Sequence, residues 1–293
     1  MPNTVNYVTR FEKDLMQQYK RELCSAELTT QNVTFLNAKT IKIPYITLGG
    51  YKDHNRNGGF NRQSVSNEYM TKTLEHDRDV EFFVDVMDVD ETNEALSAAN
   101  ITNAFEREQA IPETDAYRFS KLYSEFTDAG GAVDNTVLSL ENILTTFDKW
   151  MENMDDEEVP EDGRMLYVTP SIYTLIKQAD KITRTLDASV QQSIDRRVRS
   201  LDDVTLKKVP KGRMKTSYDF TDGFKAAGDA KQINMILVHP SSVLACDKHS
   251  YISLWAPGTH TSGDGYLYQN RKYGDLFVID TRKSGIMMNV DAE

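Results

Sequence analysis

Residues 34–86 restrict the fold of this chain more than any other segment, because they predict a long β-hairpin arm with no core of its own. The outgoing strand alternates, with Ile41, Ile43 and Tyr45 on one face. The tip, residues 49–59, is rich in glycine and polar residues and cannot bury enough surface to order itself. An isolated two-stranded ribbon is marginal in water, so another subunit must supply a surface for it. The sequence therefore predicts an assembly protein.

Length and composition allow one large domain or two modest ones. The chain has 293 residues, of which 39% are hydrophobic, and this is enough for a substantial core. No apolar run reaches the roughly 18 residues of a membrane span, and residues 1–10 contain no apolar signal-peptide core. We therefore expect no membrane partner. Cys24 and Cys246 allow a disulfide, but free thiols and a cytoplasmic origin are the expectation.

Charge is unevenly distributed along a chain whose net charge is −11. That sign argues against a general nucleic-acid binder, which needs a basic surface. Residues 141–162 contain nine acids and one base, whereas residues 181–215 contain ten bases and four acids. Two interpretations stay open for these acidic and basic spans. They are separate solvated faces, or they are complementary surfaces of neighbouring subunits.

The first half of the chain predicts helices on both sides of the arm. Residues 1–33 indicate an N-terminal arm with one helix, and residues 90–110 a long helix with a narrow apolar stripe. Pro112 is expected to end that long helix, and a second helix follows it. The pair Gly130 and Gly131 marks the best domain boundary.

Beyond that boundary the pattern changes to alternating helices and strands. Apolar residues at helical spacing over 140–154 predict an amphipathic helix. A short apolar strand, residues 165–168, then runs into a helix that starts at Pro170. Residues 235–241 show the same arrangement of strand and proline-started helix, so the two strands are expected to lie side by side in one sheet. Further strands are predicted at 204–209, 252–255, 276–279 and 286–290, and a loop at 219–231.

The order and spacing of several weak motifs are specific when they are taken together. These motifs occupy residues 38–43 and 74–78 at the two ends of the arm, 88–92 at the start of the long helix, 163–170, and 273–279. Over the whole chain they resemble the major capsid proteins of tailed bacteriophages. That family has the Hong Kong 97-like fold, in which an N-terminal arm, an extended hairpin loop, a spine helix in a peripheral domain and an axial domain follow one another.

The resemblance implies an α+β fold of four parts. They are the N-terminal arm (1–33), the extended hairpin loop (34–86), the peripheral domain (87–134 and 276–293) and the axial domain (135–275). It implies hexamers and pentamers that build an icosahedral head around double-stranded DNA, assembled in the host cytoplasm and then part of the virion. A portal protein is an implied partner, and the short N-terminal arm implies a separate scaffolding protein. An encapsulin-like shell protein of the same fold is the alternative.

The candidate functional residues are contacts between subunits, and no cofactor, metal site or catalytic residue is expected. In the arm tip they are Tyr51, Lys52, Arg56 and Phe60. In the acidic and basic spans they are Asp155, Asp156, Glu158, Arg196, Arg197 and Arg199. Some relatives join neighbouring subunits through a lysine–asparagine bond. Lys52, Lys72 and Asn289 are the residues to compare, but no full set with a promoting acid aligns.

The sequence also contains an apparent match to haloacid-dehalogenase-type phosphatases. Asp88 and Asp90 stand where that family has its nucleophile and general acid, and Asp275 and Asp280 mimic its magnesium-binding acids. The context argues against a phosphatase, because acids interrupt the run before Asp88 and the polar residues 269–273 stand where a buried strand is needed. Asp88 and Asp90 are then expected to be structural, at the start of the spine helix.

Overall fold

The strands in the described part of the subunit form two larger sheets and two two-stranded ribbons. The structure is a computed structural model that describes residues 22–30, 39–54, 58, 60–91, 98–179 and 198–292. The helices are α1 (Val86–Glu91), α2 (Ala98–Phe105), α3 (Ile111–Asp128), α4 (Ile143–Asp156) and α5 (Pro170–Gln178). The strands are β1 (Thr40–Leu48), β2 (Val65–Thr73), β3 (His76–Asp85), β4 (Met165–Val168), β5 (Ser200–Leu201), β6 (Val204–Lys208), β7 (Tyr218–Asp219), β8 (Lys225–Ala226), β9 (Ile233–Val238), β10 (Val243–Trp255), β11 (Gly265–Val278) and β12 (Ile286–Val290).

A five-stranded sheet in the order β12-β9-β4-β6-β5 forms the centre of the second half of the chain. Strand β4 lies beside β9, which confirms the predicted neighbours, and it pairs parallel with β6. Met165 and Tyr167 face a core that contains Phe119 of α3, whereas Leu166 and Val168 face the apolar sides of α4 and α5. Because β4 is buried on both faces, every one of its positions is apolar.

The two proline-started units differ in the structure. After β4, Pro170 begins α5, and α4 confirms the amphipathic helix predicted over 140–154. After β9, Pro240 begins only a 3₁₀ turn, Pro240–Ser242, so the prediction of a second helix there is wrong. The residues that follow pair with β11 instead, and Val243 and Ala245 enter the core that contains Phe119 of α3.

The arm and the strand that follows it belong to different sheets. Strands β1 and β2 pair antiparallel along their full length, which confirms a β-hairpin in the arm. Strand β3 was expected on the returning side of the arm, but it pairs with β11 in the sheet β10-β11-β3. Strand β11 also runs through residues 269–273, where polar side chains argued against a buried strand. Antiparallel neighbours on both sides satisfy its backbone, and the buried Asn270 amide donates to Glu106.

The spine helix continues through Pro112, which contradicts the prediction that it ends there. A π-helical turn, Glu106–Ala110, joins α2 directly to α3. A proline inside a helix lacks an N–H donor and crowds the carbonyl four residues earlier. The wider turn immediately before Pro112 accommodates that misfit, so the helix runs on to Asp128. It ends beside Gly130, whose positive φ of 74° suits a residue without Cβ.

Two expectations about the chain as a whole concern its thiols and its helices. Cys24 and Cys246 are both buried free thiols, as expected. Burial raises the pKa of Cys246 to about 11, so this side chain stays a neutral thiol at physiological pH. No helix in the described part of the chain has both the length and the apolar character needed to span a membrane.

A buried charge cluster attaches the N-terminal segment, residues 22–30, to α3. Asp115 of α3 is fully buried and accepts hydrogen bonds of 2.8–3.0 Å from the Cys24 and Ser25 backbones and from the Ser25 hydroxyl. The Arg213 guanidinium donates to the same carboxylate at 2.8 Å. Since the Arg213 side chain is almost fully buried, Asp115 is its counter-charge as well as the anchor of the segment.

We expect Asp115→Asn to lower the free energy of unfolding by about 3 kcal/mol, because it removes the buried carboxylate charge that the Arg213 guanidinium faces at 2.8 Å. Urea unfolding followed by circular dichroism measures this loss. Asp148→Asn removes an exposed acid of α4 and is the matched control, with an expected change below about 0.5 kcal/mol. Equal losses in the two variants would contradict an anchoring role for Asp115.

Candidate assembly surfaces

The β1–β2 ribbon presents one apolar face that the described part of its own chain leaves uncovered. Residues directly opposite each other in an antiparallel pair point to the same side, so Ile46, Leu48, Val65 and Tyr69 share one face. Each of these four side chains is 56–68% exposed. We call this surface the arm face. Clustered exposed apolar side chains of this kind mark a contact with another molecule.

The root of the arm is anchored in the core of the subunit. Ile41 and Leu74 are buried together with Phe277 of β11. Beside them, the Lys72 ammonium group lies 2.9 Å from the Glu125 carboxylate of α3. Apolar packing and an ion pair thus hold one end of the ribbon, while the arm face lies beyond it. A surface that is positioned before contact loses less conformational entropy when it binds.

The arm tip carries four of the predicted contact residues. They are Tyr51, Lys52, Arg56 and Phe60. Arg56 lies outside the described residues, and the other three side chains are exposed, Tyr51 and Phe60 almost completely. Polar bonds hold this part of the chain: the Gln63 amide donates to the Gly50 carbonyl at 2.8 Å. Contact of the tip with another copy stays a prediction.

Aromatic and acidic side chains meet where the arm joins the three-stranded sheet. His76 of β3 stacks on Tyr117 of α3 with ring centroids 3.6 Å apart. The Tyr117 hydroxyl donates to Asp275 of β11 at 2.7 Å, and the Glu75 backbone N–H donates to the same carboxylate at 2.9 Å. Burial, together with the charge of Arg78, lowers the pKa of His76 to about 4. The junction therefore holds the imidazole in its neutral form.

We expect the subunit to lose stability as the pH falls from 6.5 towards 4, because only the unfolded His76 binds a proton in that window. The shift of its pKa from 6.5 to about 4 corresponds to about 3 kcal/mol, present in full above pH 6.5. Asp275 acts with the opposite sign, because burial raises its pKa and the folded state then binds a proton more readily.

Urea unfolding at pH 7 and at pH 4.5 measures this loss, and His76→Phe is the matched variant. Phenylalanine keeps a ring against Tyr117 but has no proton to bind. The variant should lose about 2 kcal/mol less than the parent between the two pH values. Equal pH dependence in the two proteins would show that protonation of His76 does not cause the loss of stability.

The acidic span has a fixed shape where α4 ends. The buried Arg164 guanidinium donates to the Asp155 carboxylate at 2.7 Å and to two backbone carbonyls of the following loop. Glu158 has a positive φ of 56°, and backbone hydrogen bonds close the last turn in a Schellman arrangement. Asp155, Asp156 and Glu158 are all exposed. The structure therefore presents the predicted acidic residues on a rigid surface.

Much of the basic span is either undescribed or used within the subunit. Arg196 and Arg197 fall in residues 180–197, outside the described residues, whereas Arg199 is exposed. Three further bases have partners in their own chain: Lys207 pairs with Glu27, Lys208 lies over the Tyr173 ring, and Arg213 bonds to Asp115. Complementarity between the acidic and basic spans stays a prediction, and Arg199 is its described basic member.

A second exposed apolar surface lies at the far end of β10, where the sequence analysis predicted only a strand. Its side chains are 36–52% exposed, and they are Tyr251, Ile252, Leu254 and Trp255. Among the described residues, the outer edge of β10 is paired only near Ala245, by the N-terminal segment. The sequence contains a signal for this surface, because apolar residues are adjacent at 251–252 and again at 254–255. A strand with one buried face alternates apolar and polar residues, so adjacent apolar residues place apolar side chains on both faces.

The acids of the phosphatase match lie at opposite ends of one strand. Asp88 and Asp90 are in α1, which follows the Asp85 end of β3. Gly274, next to Asp275, pairs with His76 at the other end of β3. Nine residues of extended chain separate those ends by about 30 Å. The two pairs of acids therefore do not form one magnesium site, and β3 is antiparallel rather than part of a parallel sheet.

Asn289 and Lys72 both have partners in their own subunit. The Asn289 side chain is fully buried, donates to the Thr136 carbonyl and accepts from the Asn234 amide. These bonds tie β12 to the segment that precedes α4. Lys72 pairs with Glu125 of α3. Both side chains therefore contribute to the fold of the subunit itself.

Solved structures of phage proteins share this arrangement over almost the whole chain. A chain of the mature capsid of bacteriophage PhiM1 is 13% identical, has a TM-score of 0.73, and aligns over 98% of this chain and 93% of its own length. The capsid of cyanophage P-SCSP1u gives 12% identity, a TM-score of 0.66, and coverage of 98% and 93%. The chain has the phage capsid fold. A chain of Gordonia phage Cozz matches at a TM-score of 0.64 with 12% identity, over 98% of this chain and 91% of its own.

The phage capsid fold confirms the α+β, Hong Kong 97-like prediction, although no family model and no curated protein matches the chain in sequence.

Within this fold, the large apolar side chains that stay exposed are concentrated in two places. Of 14 such side chains among the described residues, six lie in the arm and four at the end of β10. Scattered exposed apolar residues need no explanation, whereas clusters favour contact surfaces.

Proposed function

We propose that this protein is the major capsid protein of a tailed bacteriophage, a structural subunit that forms hexamers and pentamers of an icosahedral head around double-stranded DNA. The phage capsid fold supports the proposal, since the capsids of PhiM1 and P-SCSP1u share it. The observation that carries it is the arm face, four exposed apolar side chains held beyond an anchored root. Burial of such surface contributes about 25 cal/mol per Å², so contact of the arm face with another copy would stabilise the assembly.

Copies of the same chain are the first partners of this subunit. A ring of identical subunits needs two different surfaces that complement each other, because its interface is heterologous. We expect a separate scaffolding protein and a portal protein as further partners, with assembly in the host cytoplasm and the virion as the final location. The net charge of −11 fits a container that does not bind its packaged DNA tightly.

Electron microscopy of negatively stained particles tests the proposed function directly. The protein is expressed alone and together with the products of the neighbouring genes, which include a scaffold if the proposal is right. Closed shells of uniform diameter are the expected result in at least one of these preparations. A protein that stays monomeric in both preparations would contradict the capsid function.

We predict that deletion of residues 49–60 leaves a folded monomer that assembles poorly. Residues 61–64 remain as a four-residue connection between β1 and β2, a length that suits a hairpin. The deleted tip has almost fully exposed aromatic side chains, Tyr51 and Phe60, so the fold of the monomer does not depend on it. The yield of shells by sedimentation should fall, and the free energy of unfolding of the monomer should change by less than about 0.5 kcal/mol. A variant that unfolds, or that assembles normally, would contradict this.

Charge reversal tests whether the acidic and basic spans of adjacent subunits meet. Changing Arg196, Arg197 and Arg199 to Glu should slow capsomer formation, since charges of this kind mainly accelerate encounter. Asp156→Lys and Glu158→Lys in the same chain should partly restore the rate without breaking the Asp155–Arg164 pair. Because each exposed pair is worth about 0–1 kcal/mol, salt should slow assembly more than it weakens finished shells. Light scattering at several salt concentrations measures the rate, and absence of rescue indicates two independent solvated faces.

A further inference from the structure

A short hairpin from the second half of the chain folds over the start of β3. Its strands, β7 and β8, pair through two residue pairs, and we call residues 217–228 the flap. The base of the flap is fixed, because the Thr216 N–H donates to the Lys231 carbonyl at 3.0 Å. An isolated ribbon of this length is marginal in water, so the flap depends on the surface that it covers.

Two contacts hold the flap in its closed position. The Phe220 ring meets His76 of β3 and Tyr117 of α3 edge-on, with ring centroids 5.7 and 5.6 Å apart. The Arg78 guanidinium donates to the Phe220 carbonyl at 2.5 Å and also pairs with Glu113 of α3 at 2.7 Å. The flap therefore covers the first residues of β3, directly after the arm.

The flap is the weakest of the three walls around His76. On one side Tyr117 belongs to α3, which is anchored by fully buried residues such as Phe119. On another side β3 pairs with β11 from His76 onwards. Most side chains of the flap are exposed or only partly buried, among them Thr221 and Lys225. A segment with few buried contacts opens at a lower free-energy cost than the rest of a fold.

Titratable groups from every neighbouring element surround His76. They are Glu75, Asp77 and Arg78 next to it in the chain, Tyr117 of α3, Asp275 of β11, and Tyr218 and Asp219 of the flap. Asp77 is paired with Arg271, and the Asp219 carboxylate accepts from the Thr221 hydroxyl inside the flap.

A charged His76 is unfavourable while the flap is closed. The imidazolium would lie under the apolar Phe220 ring and beside the positive charge of Arg78. Arg78 is also the group that holds the flap carbonyl, so repulsion between the two cations weakens that contact. Water reaches the ring most easily where the wall is weakest, which is at the flap.

We propose that the flap is a hinged cover of the arm root and that protonation of His76 opens it. The tip, with Phe220, swings away about the base at Thr216 and Lys231, and the imidazolium is then hydrated. This inference describes one subunit and goes beyond the proposed capsid function. It gives the subunit a response to acid at the point where the arm joins the sheet.

The sign of the effect follows from the two states of His76. In the closed state its pKa is lowered from 6.5 to about 4, so the closed flap is favoured above pH 6.5 and loses that advantage as the pH falls towards 4. If opening restores the ordinary pKa of 6.5, the ratio of open to closed flap rises up to about 70-fold between pH 7.5 and pH 4.5.

Amide hydrogen exchange, followed by mass spectrometry at pH 7.5 and pH 4.5, tests the flap. Exchange rates are divided by those of an unstructured chain at the same pH, which gives the protection of each segment. Protection of residues 217–228 should fall up to about 70-fold at the lower pH. About 1 M urea should leave it nearly unchanged, because a local opening exposes little surface, whereas protection of α4 should fall in urea.

Three variants identify the groups that close the flap. His76→Phe keeps a ring but binds no proton, so the pH-dependent fall should shrink to less than about threefold. Phe220→Ala removes the covering ring and should lower the protection of the flap at pH 7.5 by about tenfold. Lys225→Ala changes an exposed flap residue and is the matched control, with protection within about twofold of the parent.

Each outcome decides the inference independently of the capsid function, which particle formation tests. A urea-independent, pH-dependent loss of protection that disappears in His76→Phe supports the hinged flap. A loss of the same size in His76→Phe overturns it, because another group then responds to acid. Flap protection that equals that of α4 and falls with it in urea also overturns it, since the hairpin then leaves only when the whole subunit unfolds.

Discussion

The helix α3 joins the N-terminal segment, the root of the arm and both larger sheets of this subunit. Its acidic end anchors the N-terminal segment through the buried Asp115, and its far end holds the root of the arm through Glu125. Phe119 on the same helix packs against Tyr167 of the five-stranded sheet, with ring centroids 5.3 Å apart. Further bonds reach the three-stranded sheet: Glu113 pairs with Arg78, and Tyr117 donates to Asp275. Because one rigid helix joins both sheets and the arm, the positions of the exposed surfaces are set before any assembly.

Charged groups have two different roles in the structure. Buried or half-buried ones, such as Asp115 with Arg213 and Asp155 with Arg164, fix the shape of the chain, since a buried charge is tolerated only with a partner. Exposed ones, such as Asp79 and Glu81 of β3, add little to the stability of the monomer. They mainly affect the rate at which subunits associate and the register in which they dock.

The polar character of strand β11 shows why the local sequence is a poor guide to a strand that pairs on both sides. Its polar stretch pairs on both sides with backbone of β3 and β10, and Glu106 of the π-helical turn satisfies Asn270 and Lys272. The same turn lets Pro112 lie inside a continuous helix. In both cases the local sequence predicts that a strand or a helix is interrupted, but pairing with distant strands or a change in helix geometry keeps the element continuous. Such compensation leaves no periodic pattern in the chain, so it appears only once the strands and helices are placed.

The sequence by itself determined the elements whose signal is local. The arm hairpin, α4, and the paired strands β4 and β9 follow from alternation, helical periodicity and continuous apolar runs, and the order of these parts indicated the capsid fold. Only the tertiary structure decided that β3 leaves the arm for β11, that Asp115 is a buried anchor, and that apolar side chains at the end of β10 stay exposed. Periodicity reports which face of an element is apolar. It does not report which distant segment covers that face, because pairing between residues far apart in the chain depends on the whole packed arrangement.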